Sequence, residues 1–412
     1  MKALVITAIS PVLPGAVMVG VEQRFATFAR VIAKLAQRVD LLHFVPDHLA
    51  CQMPPAAALS SQISGAIGCD ARVNLAALPG YPKTFWNYYG AGILSARGYY
   101  YYRPLGSARA GAAISALMLD RPDLVFVHRL GAMCALFASG SRPTNMFFDL
   151  DDLEHKVLIR SAREAKFGIG TPLLLAQAPA MIAAEIRAAR MSRLTFVCSE
   201  QDRRRMARLG LGSRIAVAPN GIHATHRPGP LVAEPTLLFV GTCQYPPNFH
   251  AAERLVSRIW PLVRARVPHA RLFIAGSGSE RIPSARAAPA GVSVLGQVAD
   301  LEELYGRSRV VTCPLMVGGG TRIKIIEGAM YAKPIVSTTI GAEGLAFEDG
   351  RDILLRDDDQ GFADACVRLL SDDATADRLR CAARDRARAL YDSAAIEARI
   401  TEMIQKAMPQ VG

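Results

Sequence analysis

The chain contains the segment Met316-Val-Gly-Gly-Gly-Thr-Arg-Ile-Lys-Ile-Ile-Glu-Gly-Ala-Met330, which directly follows an apolar run. This order predicts a strand, a glycine loop and then a helix with Thr321 as its N-cap. Glycines let the backbone approach a ligand closely, and free amides at a helix start attract anions. Arg322 and Lys324 add positive charge there, and Glu327, almost two turns further on, can accept hydrogen bonds from hydroxyl groups. The segment therefore predicts a sugar–phosphate site, with an ordinary strand-to-helix turn carrying surface charges as the alternative.

The size and charge of the chain narrow the class of protein. A length of 412 residues with 51% hydrophobic content suits two or three domains with large buried sheets. The net charge of +12, from 48 Lys and Arg against 36 Asp and Glu, favours acidic partners. Nucleic acid is not predicted among them, because no basic run or binding module stands out. The eight cysteines lie far apart without a C-x-x-C pair, which favours buried thiols in a reducing cytosol over disulfides or zinc.

Short apolar runs alternate with helical patterns, which is typical of parallel βαβ units. In the first half, the predicted strands are Ala3–Thr7, Val39–Phe44, Asp123–His128, Asn145–Leu150, Leu194–Cys198 and Ile215–Ala218. In the second half, they are Thr236–Val240, Arg271–Ala275, Val292–Leu295, Val310–Cys313, Ile335–Thr338 and Asp352–Leu355. The Pro-rich link from Ala224 to Glu234 separates the two series, so we expect two α/β domains with a boundary near Asn220.

Two features bear on membrane contact. No segment has the length and apolarity of a transmembrane helix, and prolines and glycines interrupt the uncharged N-terminal stretch, which disfavours a signal peptide. Residues 82–109 combine many aromatic side chains with lysine and arginine. That mixture suits a membrane interface or a lipid-linked acceptor, and equally helices packed on a sheet with exposed tyrosine tips. We expect a cytoplasmic protein with a peripheral contact at the inner face of an anionic membrane.

Polar residues also lie at the carboxyl ends of two predicted strands in the first half. His128 ends the apolar run Leu-Val-Phe-Val, where a role in ligand binding and a structural role are equally open. Asp149-Leu-Asp-Asp152 has the form of a metal-binding D-x-D sequence, but no second carboxylate cluster lies nearby in the chain. Acidic residues at strand ends also cap helices. The sequence therefore predicts a ligand-facing edge here and no metal site.

The chain resembles glycosyltransferase family 4, strongly over residues 214–390 and more weakly before them. The motifs that carry the resemblance, besides Gly318 to Met330, are Ile215-Ala-Val-Ala-Pro-Asn-Gly-Ile222, Leu238-Phe-Val-Gly-Thr242, Tyr245-Pro-Pro-Asn248, Leu272-Phe-Ile-Ala-Gly276, Gly296-Gln-Val298, Lys333-Pro-Ile-Val-Ser-Thr338 and Gly341-Ala-Glu-Gly344. The resemblance implies an α/β protein of the GT-B fold, with two Rossmann-like, doubly wound parallel-sheet domains facing a central cleft. Residues 1–219, completed by a C-terminal helix at about 391–412, would bind the acceptor, and residues 220–390 the nucleotide sugar.

The resemblance also assigns roles to single residues. Glu327 matches the second glutamate of the family's glutamate pair, which binds the nucleotide ribose, and Val298 would lie beside the base. His128 matches a histidine near the transferred sugar, and Gly20 a loop glycine near the diphosphate. The donor-binding residues are then predicted to be Gly20, Thr242, Asn248, Val298, Gly318, Gly319, Gly320, Thr321, Arg322, Lys324 and Glu327. His128, Arg322 and Lys324 are the predicted catalytic residues.

The chain departs from the family pattern at three positions. Gly319 stands where the first glutamate of the pair is expected, so one carboxylate that reads hydroxyl groups is absent. Thr242 and Asn248 stand where an arginine and a lysine usually follow the first strand of the second domain. Our hypothesis is that Arg322 and Lys324 supply the missing positive charge from the opposite loop.

The resulting prediction is a retaining hexosyltransferase that uses a nucleoside diphosphate sugar as co-substrate and needs no other cofactor. Its acceptor would be a hydroxyl group of a sugar or lipid-linked molecule in envelope or exopolysaccharide biosynthesis. Three alternatives stay open: a catalytically silent glycosyltransferase-like partner protein, a nucleotide-sugar epimerase and a nicotinamide-dependent oxidoreductase. The sequence does not name the sugar, the base, the acceptor or the linkage.

Overall fold

The computed structural model describes residues 1–9, 20–164, 170–222 and 229–409. The chain divides into two compact units: unit 1 is Met1–Gly221 with Ala394–Gly412, and unit 2 is Ile222–Ser393. Part of the predicted link from Ala224 to Glu234 lies outside the described residues. Within those residues, no helix is both long and apolar enough to cross a membrane.

Unit 1 is built on a parallel sheet of seven strands in the order β3-β2-β1-β4-β5-β6-β7. The strands are β1 (Lys2–Thr7), β2 (Arg38–Pro46), β3 (Asp70–Leu78), β4 (Leu124–His128), β5 (Met146–Asp151), β6 (Leu194–Val197) and β7 (Ile215–Val217). All six strands predicted in this half are present. The sheet also contains β3, which was not predicted.

The helices of unit 1 cover both faces of this sheet. They are α1 (Gly20–Leu35), α2 (Asp47–Ala50), α3 (Ala56–Ile67), α4 (Phe85–Tyr89), α5 (Ala108–Met118), α6 (Arg129–Ser139), α7 (Glu154–Glu164), α8 (Gly170–Ala176), α9 (Ala178–Met191) and α10 (Glu200–Met206). Alternate residues of β1 pack into two separate apolar clusters, one on each face. This two-sided burial explains why the central strands are continuous apolar runs.

Unit 2 is a parallel sheet of six strands in the order β10-β9-β8-β11-β12-β13. The strands are β8 (Thr236–Val240), β9 (Arg271–Ala275), β10 (Val292–Gly296), β11 (Val310–Cys313), β12 (Ile335–Ser337) and β13 (Leu354–Leu355). The helices are α11 (Pro246–Arg254), α12 (Trp260–Arg266), α13 (Pro283–Arg286), α14 (Leu301–Arg307), α15 (Ile323–Met330), α16 (Asp359–Ser371) and α17 (Asp373–Tyr391). Trp260 is fully buried in the single core of this unit, and its indole N–H donates to Ala290 O at 3.1 Å. The predicted pair of parallel α/β sheets is therefore confirmed.

The last helix, α18 (Ser393–Ala407), belongs to unit 1 from Ala394 onward. Ile396, Ile400 and Ile404 repeat every four residues and are buried in one apolar cluster of that unit. Each such buried side chain stabilises the fold by about 1.5–3 kcal/mol. Glu397 adds ion pairs to Arg30 and Lys34 of α1, both at 2.7 Å.

Candidate functional site

The order of the strands locates the candidate site in unit 2. The sheet runs outward from β8 toward β9 on one side and from β11 toward β12 on the other, so β8 and β11 flank its topological switch point. Ligands of such sheets bind beyond the carboxyl ends of the strands at this point. The loop that follows β8 contains Thr242, and the loop that follows β11 is the glycine segment. Two parts of the chain that are distant in sequence therefore meet at the carboxyl ends of β8 and β11.

Arg322 stabilises the glycine loop through hydrogen bonds to its carbonyl groups. Gly318 and Gly320 have φ angles of +125° and +75°, which favour glycine over other residues. The Arg322 guanidinium donates from Nη1 to the carbonyl oxygens of Gly319 and Gly320, and only 7% of this residue is exposed. The helix begins at Ile323 with Arg322 at the N-cap position, so the prediction that Thr321 caps it is wrong. The helix therefore begins one residue later than predicted, and Arg322 folds back to bond the carbonyl groups of the loop.

Arg322 has donor groups left over. Its Nε and Nη2 atoms are buried and have no hydrogen-bond partner among the described residues. A buried donor without a partner costs about 1–3 kcal/mol, and a charged one more. Such atoms are typical of a site that a bound anion or ordered water completes. The guanidinium therefore lies within the loop, which the alternative of an ordinary turn with surface charges does not predict.

Lys324 points toward the opposite loop. Its Nζ donates to Asn248 Oδ1 at 2.8 Å, and Asn248 Nδ2 donates to Thr242 O at 3.0 Å. A Cβ atom built on Gly241 would lie 2.7 Å from this Nζ, so the ammonium group rests directly on the backbone after β8. The Phe239 ring lies below it, with its centre 4.4 Å from Nζ. Burial, with a smaller effect of the Arg322 charge, lowers the pKa of Lys324 to about 8.

Glu327 is oriented by a tyrosine that the sequence analysis did not identify. The hydroxyl of Tyr305, a fully buried residue of α14, donates to Glu327 Oε2 at 3.1 Å. The ring of Tyr305 stacks on Tyr331 with 4.5 Å between centres and 10° between planes. Burial raises the pKa of Glu327, while Tyr305 and Lys324 act in the opposite direction. The only sequence signal for Tyr305 is its inward position on an amphipathic helix, which is equally typical of a core residue.

The remaining predicted residues of unit 2 lie at the same sheet. Thr242 Oγ1 is 2.9 Å from Ser277 Oγ, in the loop that follows β9. Val298 is partly buried against the core, just after β10. The structure thus brings Thr242, Asn248, the glycine loop, Lys324 and Glu327 together and places Val298 two strands away.

His128 and Gly20 belong to unit 1, at the switch point between β1 and β4. His128 is buried, with Nδ1 3.2 Å from Thr7 Oγ1. Its Nε2 lies 3.6 Å from Asp149 Oδ2 and has no hydrogen-bond partner among the described residues. Burial, reinforced by Arg129, lowers the pKa of His128 to about 3, so the imidazole is neutral near pH 7. Gly20 is the first residue of α1.

Arg24 binds the carboxylates at the end of β5, those of Asp149 and Asp151. This buried arginine donates to both oxygens of Asp149, at 2.8 and 2.6 Å, and its Nε lies 3.2 Å from Asp151 Oδ1. It also donates to Ala218 O at 2.6 Å. The prediction that Asp149 and Asp151 form a ligand-facing edge is therefore wrong, because both complete a buried ion-pair network.

Three side chains at the ends of β5 and β6 lie close enough together to bind a metal ion. Ligand atoms of Asp151, Asp152 and Cys198 lie within 4.8 Å of one another. Arg24 and Arg129 flank Asp151, at 3.2 and 3.9 Å, so two guanidinium groups already balance its charge. Asp151 and Arg129 have left-handed φ angles of +62° and +69°. Such strain at two strand ends persists only where the surroundings hold it.

A family model described as glycosyl transferases group 1 matches residues 234–372, which include the whole unit 2 site. The chain is also similar to an uncharacterized 44.6 kDa protein in the cps region of Klebsiella pneumoniae, with 26% identity over 135 residues. That match spans 31% of this chain and only 35% of the Klebsiella protein. The match to the family model lies within unit 2, whereas His128 and Gly20 lie outside it.

Solved structures resemble the full length of the chain. Sucrose-phosphate synthase from Thermosynechococcus elongatus has a TM-score of 0.69 at 17% identity, covering 98% of both chains. HepE from Anabaena, in complex with UDP and glucose, has a TM-score of 0.63 at 13% identity, covering 98% of this chain and 100% of HepE. A glycosyltransferase from Rickettsia africae has a TM-score of 0.60 at 12% identity, with 99% of both chains covered. Identities this low establish the fold alone, and they confirm the predicted GT-B class.

Proposed function

We propose that this protein is a retaining hexosyltransferase that transfers a sugar from a UDP-sugar to a hydroxyl acceptor. Unit 2 would bind the donor, and unit 1 would bind the acceptor. The observation that carries this proposal is the position of Lys324, whose ammonium group donates to Asn248, which in turn donates to the carbonyl of Thr242. Those two positions are where the family resemblance expects cations, so Lys324 brings the expected charge to the expected place.

The donor diphosphate would lie between the glycine loop and Lys324. Amides of Gly318 to Thr321 and the unpartnered Nε and Nη2 atoms of Arg322 supply donors on one side, and the Lys324 ammonium supplies them on the other. These groups are fixed before the reaction, so they can stabilise the negative charge that develops as the diphosphate leaves. Arg322 and Lys324 act in this proposal as leaving-group stabilisers.

The nucleoside would be read by Glu327 and Val298. Tyr305 holds one carboxylate oxygen of Glu327, which leaves the other oxygen to accept hydrogen bonds from the ribose hydroxyl groups. Val298 would contact the base through its partly exposed side chain. Gly319 offers no carboxylate to the donor sugar, so specificity for that sugar rests more heavily on hydrogen bonds from the backbone.

The neutral His128 would orient the transferred sugar rather than exchange a proton with it. A pKa of about 3 leaves almost no imidazolium near pH 7, so general acid catalysis by this residue is disfavoured. Its buried Nε2 can still form one hydrogen bond to a sugar hydroxyl group. In the proposed reaction, the acceptor oxygen forms the new bond to the anomeric carbon as the bond to the diphosphate breaks. The acceptor proton then passes to a diphosphate oxygen on the same face, which retains the anomeric configuration.

Envelope or exopolysaccharide biosynthesis is the setting we propose. The relative in a cps region of Klebsiella supports it, and the presence of UDP in the HepE complex supports the choice of base. The net charge of +12 suits an anionic donor and a peripheral contact with the inner face of the membrane.

A thermal-shift screen with UDP-, GDP- and ADP-sugars tests the proposal. We expect UDP-sugars alone to raise the melting temperature, because a ligand at 100 times its Kd stabilises by about 2.7 kcal/mol. Proton NMR of the product formed with a hydroxyl acceptor should then show the donor's anomeric configuration. Binding without turnover of any donor would favour the silent partner, and consumption of donor without acceptor would favour an epimerase. Stabilisation by a nicotinamide cofactor instead of any sugar nucleotide would overturn the proposal.

A further inference from the structure

Unit 1 contains a pocket of about 600 Å³ at the carboxyl ends of β2 and β3. This volume is typical of a site for a small organic ligand. Its walls are formed mostly by apolar residues and tyrosines, with one histidine: Ala8, Phe44, Val45, Pro46, His48, Leu78, Pro79, Gly80, Tyr81, Tyr100, Tyr101, Pro104 and Leu105. None of its thirteen lining residues is Asp, Glu, Lys or Arg. The only side chains of this lining that can form hydrogen bonds are His48 and three tyrosines, so most of the wall can bury a hydrocarbon chain and few groups could replace the hydrogen bonds of a free sugar to water.

Cations lie at the rim of this apolar pocket. The guanidinium of Arg103 lies 5.1 Å from the ring centre of Tyr81, a lining residue, and donates to Asn87 Oδ1. Lys83 Nζ lies 4.8 Å from the ring centre of Tyr88, whose ring packs against the lining residues Tyr100 and Tyr101, with 5.6 and 6.4 Å between ring centres. An apolar interior with arginine and lysine at the rim complements a molecule that has a hydrocarbon chain and an anionic group at one end.

The same segment exposes an unusual amount of apolar surface. Phe85 is 53% exposed, Trp86 59% and Leu94 96%, and Tyr101, which also lines the pocket, is 58% exposed. Exposed aromatic side chains next to lysine and arginine are typical of protein surfaces that contact the headgroup region of a bilayer. A molecule drawn from a membrane would therefore meet this segment first.

We propose that the pocket binds the hydrocarbon chain of a lipid-linked acceptor whose phosphate group lies beside Arg103. This inference rests on the proposed transferase function, because it names the class of acceptor for that reaction. Phosphate is the anion in the proposal because a guanidinium can bind two of its oxygens at once. The sugar attached to that phosphate would extend from the rim of the pocket.

Gly80 offers a direct way to block the pocket. It lines the pocket, a Cβ atom there would meet nothing within 4 Å, and its φ angle is not left-handed. Gly80→Trp should therefore fill the pocket without strain. Gly65→Trp is the matched control, because Gly65 lies exposed on α3 with the same free space around its Cβ position. Arg103→Ala tests the phosphate contact, with the exposed Arg109 changed to Ala as its control.

The experiment is calorimetric titration of the full-length protein with farnesyl phosphate, farnesol and inorganic phosphate, without donor. We expect farnesyl phosphate to bind, Gly80→Trp to weaken it at least about tenfold, and Gly65→Trp to leave it unchanged. Arg103→Ala should remove the preference for farnesyl phosphate over farnesol. Absence of binding to the wild type, or unchanged binding to Gly80→Trp, would overturn the proposal.

Two further outcomes separate this inference from the function on which it rests. If a soluble disaccharide binds the wild type and Gly80→Trp abolishes that binding, the pocket is a sugar site and the lipid proposal is wrong. A UDP-sugar should stabilise Gly80→Trp as it does the wild type, because the donor residues lie in unit 2. Farnesyl phosphate binding without any response to a sugar nucleotide would contradict the proposed function and leave the pocket assignment standing.

Discussion

Lys324 of α15 and Asn248 of α11 are joined by a hydrogen bond of 2.8 Å between Nζ and Oδ1. The two residues are 76 positions apart in the chain, and the bond links the loops after the adjacent strands β8 and β11. Asn248 in turn donates to the carbonyl group of Thr242. The charged group of Lys324 is thus bonded to Asn248 and linked through it to Thr242, and neither of these two residues carries a charge.

The pH dependence of donor binding should follow the ammonium group of Lys324. Its pKa is lowered to about 8, and an anionic diphosphate binds the protonated form better. Donor affinity should therefore be constant below pH 7 and fall as the pH rises through 8, by at most about tenfold per unit. The measurement is the Kd of a UDP-sugar between pH 6.5 and 9.

The control for this profile is Lys333→Met. Lys333 is buried, and its pKa is likewise lowered to about 8. It precedes β12, however, so it lies at the amino ends of the strands, opposite to the candidate site. This variant should keep the profile of the wild type. An affinity that stays constant up to pH 9 in the wild type would mean that Lys324 does not contact the donor.

Replacing Arg322 should weaken donor binding. Arg322→Ala removes both the bonds that hold the carbonyl groups of Gly319 and Gly320 and the two unpartnered donor atoms. We expect a loss of at least about tenfold in donor affinity, because hydrogen bonds to charged groups contribute about 1.5–3 kcal/mol. The donor affinity of Arg322→Lys should lie between those of the wild type and Arg322→Ala, because a lysine keeps the positive charge but not the several N–H donors of a guanidinium. Arg307→Ala, at an exposed position of unit 2, serves as the control, and equal affinity in Arg322→Ala and this control would refute the role of Arg322.

Tyr305→Phe isolates the orientation of Glu327. The substitution removes one hydroxyl group and keeps the buried ring, so Glu327 loses the partner of Oε2. We expect the KM for the donor to rise about 3- to 10-fold, the effect of one ordinary hydrogen bond, with kcat nearly unchanged. Tyr331→Phe keeps the Tyr305 hydroxyl and should leave KM close to the wild-type value. A fall in kcat with constant KM would instead assign Tyr305 to the chemical step.

The stability of unit 1 should depend on Arg24. Breaking a buried ion pair by removing one partner costs about 3–5 kcal/mol, and Arg24→Met would leave Asp149 buried without its main partner. Urea unfolding of the full-length protein should show a lower midpoint for this variant. The control is Arg203→Met, which breaks an exposed pair with Glu200 and should leave the midpoint unchanged. Equal midpoints for the two variants would mean that the Arg24 network contributes no net stability.

The fold was predictable because the central strands are buried on both faces and so form continuous apolar runs. β3 was missed because it lies at the edge of the sheet and pairs only with β2. Its buried Ala71 and Val73 alternate with the exposed Asp70 and Arg72, and its apolar run, residues 75–78, is only four residues long and half alanine. The alternation of polar and apolar residues at positions 70–73 was the sequence signal that could have identified this strand.

The directions of the charged side chains could not be predicted in the same way. Arg322 and Lys324 are two residues apart, yet one folds under its own loop and the other reaches the opposite one. Asp149 lies near the carboxyl end of a strand, as a ligand-binding carboxylate would, but Arg24 reaches it from 125 positions away. Those choices depend on partners that are distant in sequence. Spacing within one segment therefore identified the residues of the site but not their contacts.

The direct test of the donor site is the Kd of a UDP-sugar for Lys324→Met, measured by titration calorimetry at pH 7 beside the wild type and Lys333→Met. An ion pair between the partly buried ammonium group of Lys324 and the diphosphate predicts a loss of at least about 30-fold in Lys324→Met, with wild-type affinity in Lys333→Met. A melting temperature within a few degrees of the wild type would show that Lys324→Met is folded. A folded Lys324→Met variant that binds the UDP-sugar as tightly as the wild type would contradict the assignment of Lys324 to the donor diphosphate.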